Sequence, residues 1–327
     1  MTSTANDTLS PTLQARLTHP DAGVRRVALI ALADEQEETL LPWLIAALTD
    51  PATEVRTEAA ERLAGWDTQP AVAALAAALR DPEESVRRAA AQSLSELKDA
   101  ATGPWLLPLA EDADTFVRAS GLRALRELRV AAAAGPAHSS LAHADTTVRR
   151  EAIGVLGWLK HTPALPALAR LSTADPDAEV RRAATGALGL ADVAPDADRR
   201  IARDALLSAL RDDAWPVREE AAATLGKLRL DDPALAASLI DALADPYWQV
   251  RLRAARALGQ LKVAAAIAPL GTALTHAISN LRKEAAIALG EIGDVRALTL
   301  LETAEADADP EVRKLSRIAI SRLRQAP

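Results

Sequence analysis

The chain has 327 residues, with 45 Asp and Glu against 38 Lys and Arg for a formal net charge of −7, and it has no cysteine. That balance excludes a disulfide framework, a thiolate nucleophile and cysteine-held zinc or iron–sulfur sites, and it disfavours wholesale binding to a phosphate backbone. Apolar residues make up 49% of the chain but aromatics only 2%, so its core is expected to be Ala, Leu, Val and Ile, the filling of closely packed helices.

Residues 1–9 are expected to form a disordered tail. Met1 to Leu17 is polar and lacks an apolar h-region, and no later run reaches the length of a membrane span. The expectation is a soluble cytoplasmic protein with no membrane partner. From there the sequence keeps time. A Val-Arg pair stands at Val24-Arg25, Val55-Arg56, Val86-Arg87, Val117-Arg118 and Val148-Arg149, each 31 residues after the last. Val180-Arg181, Val217-Arg218, Val250-Arg251, Leu281-Arg282 and Val312-Arg313 continue the beat at intervals of 32, 37, 33, 31 and 31, making ten units.

Counting from the apolar anchor, position +4 is small in every unit, as at Ala28, Ala59, Gly121 and Ser316, and +8 is Leu in nine units and Ile320 in the last. Positions 0, +4, +8 and +11 fall on one stripe of a 3.6-residue helix, which predicts its buried face. Five residues before the anchor stands Asp50, Asp81, Asp112, Asp175, Asp212, Asp245 or Asp307, followed by Pro at 51, 82, 176 and 246. An Asp N-cap with Pro at the first helical position predicts that a second helix opens there. Upstream apolar runs such as Thr39 to Leu48 and Ala71 to Leu79 supply a first helix. The fold predicted is all-α, a superhelical solenoid of about ten helix-turn-helix repeats.

The expected organisation is repeats 1–6 over 10–191, a polar insertion over 192–199 that is read as a hinge, and repeats 7–10 over 200–327. The last unit reads as a polar cap, with Ser316 and Ser321 in place of Ala and Gly.

The pattern D-P-x-x-x-V-R-x-x-A-x-x-A-L-G, nearly complete at Asp245 to Gly259, resembles the short bacterial HEAT repeat, also called the phycobilisome-lyase-like HEAT repeat. The resemblance covers about Ser10 to Leu323. It implies a solenoid in which each unit packs on its neighbours, and a function among adaptors, assembly helpers and bilin lyases. Iron-dependent hydroxylases of this class carry His-Glu dyads. Here the pairs are His19-Pro20, His138-Ser139, His143-Ala144, His161-Thr162 and His276-Ala277, so the enzyme reading finds no metal set. No nucleophile elbow, phosphate-binding loop or dinucleotide fingerprint occurs either. The expectation is a non-catalytic protein with no cofactor.

The ten arginines at +1 are read as structural, each pairing with a neighbouring loop Asp. The binding information is expected at +2, +6, +9 and +10 of the second helix, on a concave face. Its floor is small at Gly154 and Gly186, in the +6 slot of successive repeats, where glycine costs about 1 kcal/mol relative to alanine in a helix. Trp158, Trp215, Tyr247 and Trp248 stand around that floor, in a chain short of aromatics, and tryptophan is common in binding hot spots. Arg123, Arg150, Arg182 and Arg256 flank it among interspersed glutamates. This mixed surface predicts a protein partner, gripped as by a scaffold, adaptor or assembly factor, and disfavours nucleic acid. The alternative reading is a bilin-lyase-like protein that attaches or delivers a tetrapyrrole.

Overall fold

In the computed structural model the 31-residue beat becomes a succession of helix pairs; the structure describes residues 11–34, 38–228 and 232–325. The expected tail, 1–9, lies outside the described residues. In chain order the pairs are α1 (Pro11–Leu17) with α2 (Ala22–Asp34), α3 (Leu41–Ala47) with α4 (Thr53–Arg62), α5 (Gln69–Ala78) with α6 (Glu84–Ser95), α7 (Gly103–Leu106) with α8 (Thr115–Glu127), and α9 (Ala134–Ser140) with α10 (Thr146–Trp158). Then follow α11 (Leu165–Ala174) with α12 (Ala178–Ala187), α13 (Asp196–Ala209) with α14 (Trp215–Leu228), α15 (Pro233–Ala242) with α16 (Trp248–Gln260), α17 (Ile267–Ala273) with α18 (Ser279–Ile292), and α19 (Leu298–Ala304) with α20 (Pro310–Gln325). Even-numbered helices carry the anchors. The fold class is the all-α solenoid.

The chain divides into two compact units, Met1–Leu159 and Lys160–Pro327. Repeats 1–5 lie in the first and repeats 6–10 in the second. The division falls ahead of the insertion at 192–199. Those residues do not form a long loop: Leu188–Val193 is a 3-10 helix, and Asp196 opens the 14-residue α13. The extra chain lengthens a first helix.

Core packing follows the stripe. Val55, Val86, Val117, Val148, Val180, Val217, Val250 and Val312 are fully buried, as are Leu63, Leu94, Leu125, Leu156, Leu188, Leu258 and Leu289 at +8. A third buried row, eleven residues before the anchor at Leu44, Leu75, Leu106, Leu206, Leu239, Leu270 and Leu301, lies on the first helices and closes each pair. The small +4 residue is needed where two backbones meet. A Cβ at Gly121 would come within 2.5 Å of Leu109 Cβ and 2.9 Å of its backbone carbon.

The start of the second helices corrects the expectation drawn from Asp-Pro. The Asp at −5 is not the N-cap, and α4, α6, α8, α12 and α16 open two residues later than it would place them. Its carboxylate instead accepts from the backbone N–H two residues on, as in Asp50 to Ala52 at 2.9 Å and Asp245 to Tyr247 at 2.9 Å. That Asx turn presents the chain to a separate cap at −3, where Asp114, Asp145 and Asp177 accept the free N–H groups of α8, α10 and α12. Three repeats use histidine in the turn instead. The Nδ1 atoms of His19, His143 and His276 accept from Asp21, Asp145 and Ile278, a role that requires an unprotonated nitrogen.

Candidate functional site

The arginine ladder is the most regular electrostatic feature, and it is structural. The +1 arginine of one repeat makes a forked ion pair with the −5 Asp of the next in Arg25 with Asp50, Arg56 with Asp81, Arg181 with Asp212, Arg218 with Asp245 and Arg282 with Asp307, at 2.7–2.8 Å. The remaining Nη1 donates to loop carbonyls of its own repeat, as Arg218 does to Asp212 at 2.7 Å. Each guanidinium therefore ties two turns together. Burial works against ionisation of Asp50, Asp212 and Asp245, but the guanidinium and backbone donors outweigh it and hold these carboxyls below the usual range. For Asp81 and Asp307 the arginine is the largest influence, with the same result.

The ladder has breaks. Asp112 is paired with Arg80, so Arg87 bonds only the carbonyls of Asp81 and Pro82. His143 and His276 occupy the −5 place opposite Arg118 and Arg251. Arg118 turns to the carbonyls of Glu111 and Asp112, while the Nε of Arg251 is buried without a hydrogen bond. Burial first, and then the charges of Arg251 and Arg282, push His276 below the ordinary histidine range.

Within each unit the second helices pack on one another from repeat to repeat. In repeats 8–10 they touch extensively while the first helices barely meet, which puts the second helices on the inside of the curve there. A Cβ at Gly259 would lie 2.7 Å from Ala288 Cα, so this inner layer needs glycine at +9. On the same layer, buried glutamates at +3 are held by arginines of the preceding repeat. Glu58 is bound by Arg26 at 2.8 Å, helped by Arg62 of its own helix; Glu151 by Arg123 and Arg126 at 2.8 and 2.9 Å; Glu284 by Arg256 at 2.6 Å.

The predicted site residues distribute over both units. In the first, Arg123 is engaged with Glu151, and the space over Gly154 is filled by Arg126, whose Cδ and Nη1 lie 3.1 Å from where a Cβ would stand. Glycine at this +6 position thus lets Arg126 reach Glu151. Arg150 is exposed, and Trp158 is 52% exposed with the Arg129 guanidinium 4.6 Å above its ring. In the second unit, Arg182 pairs with Glu179 one turn away, Arg256 pairs with Glu284, and Gly186 lies under the carboxylate of Glu220.

The aromatics of the second unit form a cluster of their own. Trp215 and Tyr247 stack with ring centroids 5.4 Å apart and planes at 17°, and Arg218 lies 5.7 Å over the Tyr247 ring. Tyr247 is 45% exposed, whereas Trp215 and Trp248 are partly buried. Both stacked residues sit at the N-terminal ends of α14 and α16. The +6 positions of those helices, Ala223 and Arg256, are about 12 Å further along at 1.5 Å per residue. Aromatic ridge and +6 floor are therefore separate bands of one helix layer.

Sequence reasoning missed the +3 glutamates as partners of the +6 arginines. The signal was present, since Glu58, Glu151, Glu220 and Glu284 recur at one register. Among the described residues no three His, Asp or Glu side chains converge as a metal site, and no helix is long and apolar enough to cross a membrane.

A sequence profile for HEAT repeats matches residues 2–62, 41–126, 103–189, 173–246 and 236–321. No curated protein matches the chain significantly. Among solved structures it is similar to an engineered protein, with 22% identity over 97% of this chain and 99% of the other and a TM-score of 0.55. It is also similar to the E. coli protein YibA, with 19% identity over 92% and 97% of the two chains and a TM-score of 0.55. Kap95p, the yeast importin-β, solved with RanGDP, superposes with a TM-score of 0.73 and 18% identity over 98% of this chain. The chain spans about half the length of Kap95p, covering 52% of it. Repeat register, helix pairing and profile agree that the chain belongs to the HEAT-repeat family.

Proposed function

We propose that the protein is a non-catalytic scaffold that holds a segment of another protein on the second-helix layer of its second unit, acting in the cytoplasm as an adaptor or assembly factor. The observation that carries this reading is the Trp215–Tyr247 stack, with Tyr247 exposed at 45% and Trp248 beside it in sequence. Rigid aromatic surface supplies large contact area at low entropic cost, and its exposure is unfavourable unless something covers it. Gly186, Arg182 and Arg256 belong to the same layer and supply its polar margin. Gly154, Trp158, Arg123 and Arg150 would form a second patch on the first unit, with Trp158 as its anchor. Kap95p, whose repeats superpose on these, binds RanGDP, which supports a protein partner.

The test is an affinity capture from native lysate, quantified by mass spectrometry, comparing wild type with Trp215→Ala/Trp248→Ala and with Trp158→Ala. A partner retained by the wild type and by Trp158→Ala but lost from the double variant supports the assignment. Equal retention by all three, with unchanged thermal unfolding, refutes it.

A further inference from the structure

Four second helices carry glutamate at +3, and three of the four carboxylates are neutralised from within the chain. Glu58, Glu151 and Glu284 are 2–8% exposed because arginine side chains of the preceding repeat lie across them. The fourth, Glu220 on α14, has no such cover. Repeat 6 places glycine at both positions from which an arginine could reach it, Gly186 at +6 and Gly189 at +9, and its +2 arginine, Arg182, is turned to Glu179. Among the described residues Glu220 makes no hydrogen bond or ion pair, and it remains partly exposed.

The space is of guanidinium reach. The Glu220 carboxylate lies 2.9 Å from where a Gly186 Cβ would be, so it rests against the helix surface that the side chain of Arg256 leaves when it crosses to Glu284 from the equivalent +6 position. The glycine at 186 removes the internal cation and opens the carboxylate from the solvent side. Lys227, two turns along α14, is exposed and makes no ion pair with it. A second carboxylate of this layer, Glu291, lies over Gly259 in the same manner, with its Oε2 2.8 Å from where that Cβ would stand, and it too makes no ion pair or hydrogen bond among the described residues.

We infer that Glu220, seated over Gly186, is a docking point for an arginine side chain of a partner protein, which completes in trans the Arg–Glu pair that the other repeats make in cis. The partner segment is basic and presents arginine rather than lysine, because the planar fork satisfies both carboxylate oxygens at once. This deepens the scaffold reading and rests on it for the identity of the partner, but not for the existence of the subsite.

The experiment uses the full chain and a fluorescein-labelled short peptide in which Arg alternates with Gly and Ser, with Lys and citrulline counterparts, followed by anisotropy at near-physiological salt. The Arg peptide should bind more tightly than the Lys peptide, and the citrulline peptide should not bind. Glu220→Gln and Gly186→Arg should each weaken the Arg peptide by about fivefold or more, the effect of losing one partly buried ion pair. Glu61→Gln, on an exposed glutamate of the first unit, should leave it unchanged. Gly186→Arg should also raise Tm above Gly186→Ala, and that excess should vanish in the Glu220→Gln background. Equal binding of Arg and Lys peptides, or undiminished binding by Glu220→Gln, overturns the inference. If Glu220→Gln leaves peptide binding intact while the Trp215→Ala/Trp248→Ala variant loses a captured partner, the scaffold reading survives and the arginine subsite fails. If Glu220→Gln abolishes peptide binding while no partner is captured, the subsite stands and the scaffold reading fails.

Discussion

Replacing His276 with Asp should stabilise the protein, against the general tendency of substitutions to destabilise. Arg251 occupies the ladder position, yet it faces an imidazole, and its Nε is buried without a hydrogen bond. The equivalent pair one repeat earlier, Arg218 with Asp245, makes two charge-assisted bonds at 2.7 and 3.0 Å in a partly buried setting. Asp at 276 would preserve the turn, because its carboxylate can accept the Ile278 N–H that His276 Nδ1 now takes at 3.0 Å. Hydrogen bonds to charged groups contribute about 1.5–3 kcal/mol when buried, and the partial exposure of this site reduces the gain to about 1–2 kcal/mol. At about 2–4 °C per kcal/mol for a domain of the second unit's size, Tm should rise by roughly 2–8 °C. The assay is urea unfolding of wild type, His276→Asp, Arg251→Met and the double variant. The gain from Asp should disappear in the Arg251→Met background, and Arg251→Met alone should be close to neutral. A His276→Asp protein no more stable than wild type, or a gain that persists without Arg251, refutes the ladder argument.

Three further outcomes follow from the same geometry. Gly121→Ala should destabilise by about 2–3 kcal/mol in chemical unfolding, because its Cβ meets Leu109 in a packed interface where overpacking is costly. Lys262 holds φ +54 at the end of α16, where Gly293 holds +78 in the next repeat, so Lys262→Gly should be stabilising or neutral by calorimetry, relieving about 1 kcal/mol of left-handed strain. Acidification should act in two steps. The folded state holds His276 below its ordinary value of 6.5, so the unfolded chain binds a proton first and stability falls as pH drops below 6.5, levelling off once the folded imidazole also protonates. The ladder carboxylates are depressed in the fold, as is Asp309, to about 2, by Lys283, and their contribution is lost as pH falls from about 4 through those lowered values. In a stability–pH series, His276→Asn should remove much of the first step and leave the second.

The anchors at Val55 to Val312 and the Leu row at +8 were legible because a buried helix stripe recurs in the same register in every repeat. The pairing of Arg218 with the next repeat's Asp was legible for the same reason, since both recur in one register. Helix starts were read two residues early, because Asp-Pro satisfies both an N-cap and an Asx turn and only the three-dimensional path separates them. The insertion at 192–199 read as a loop, whereas Asp196 and Asp198 stand in the first turn of α13. Gly154 and Gly186 were read as a floor open to a partner, whereas side chains of the protein itself lie over both. Arg126 approaches in one case and Glu220 in the other, because +6 of one repeat meets +9 of the preceding repeat or +3 of the next, relations between repeats that a single-repeat reading does not contain.

The scaffold account is tested most directly by hydrogen exchange of the full chain with and without the captured partner. Binding on the second-helix layer of the second unit predicts slowed exchange in the turns and N-terminal halves of α14 and α16 and around Gly186 at the end of α12, with the first helices α15 and α17 unchanged. Protection confined to the odd-numbered helices, or spread evenly over both layers, would contradict it.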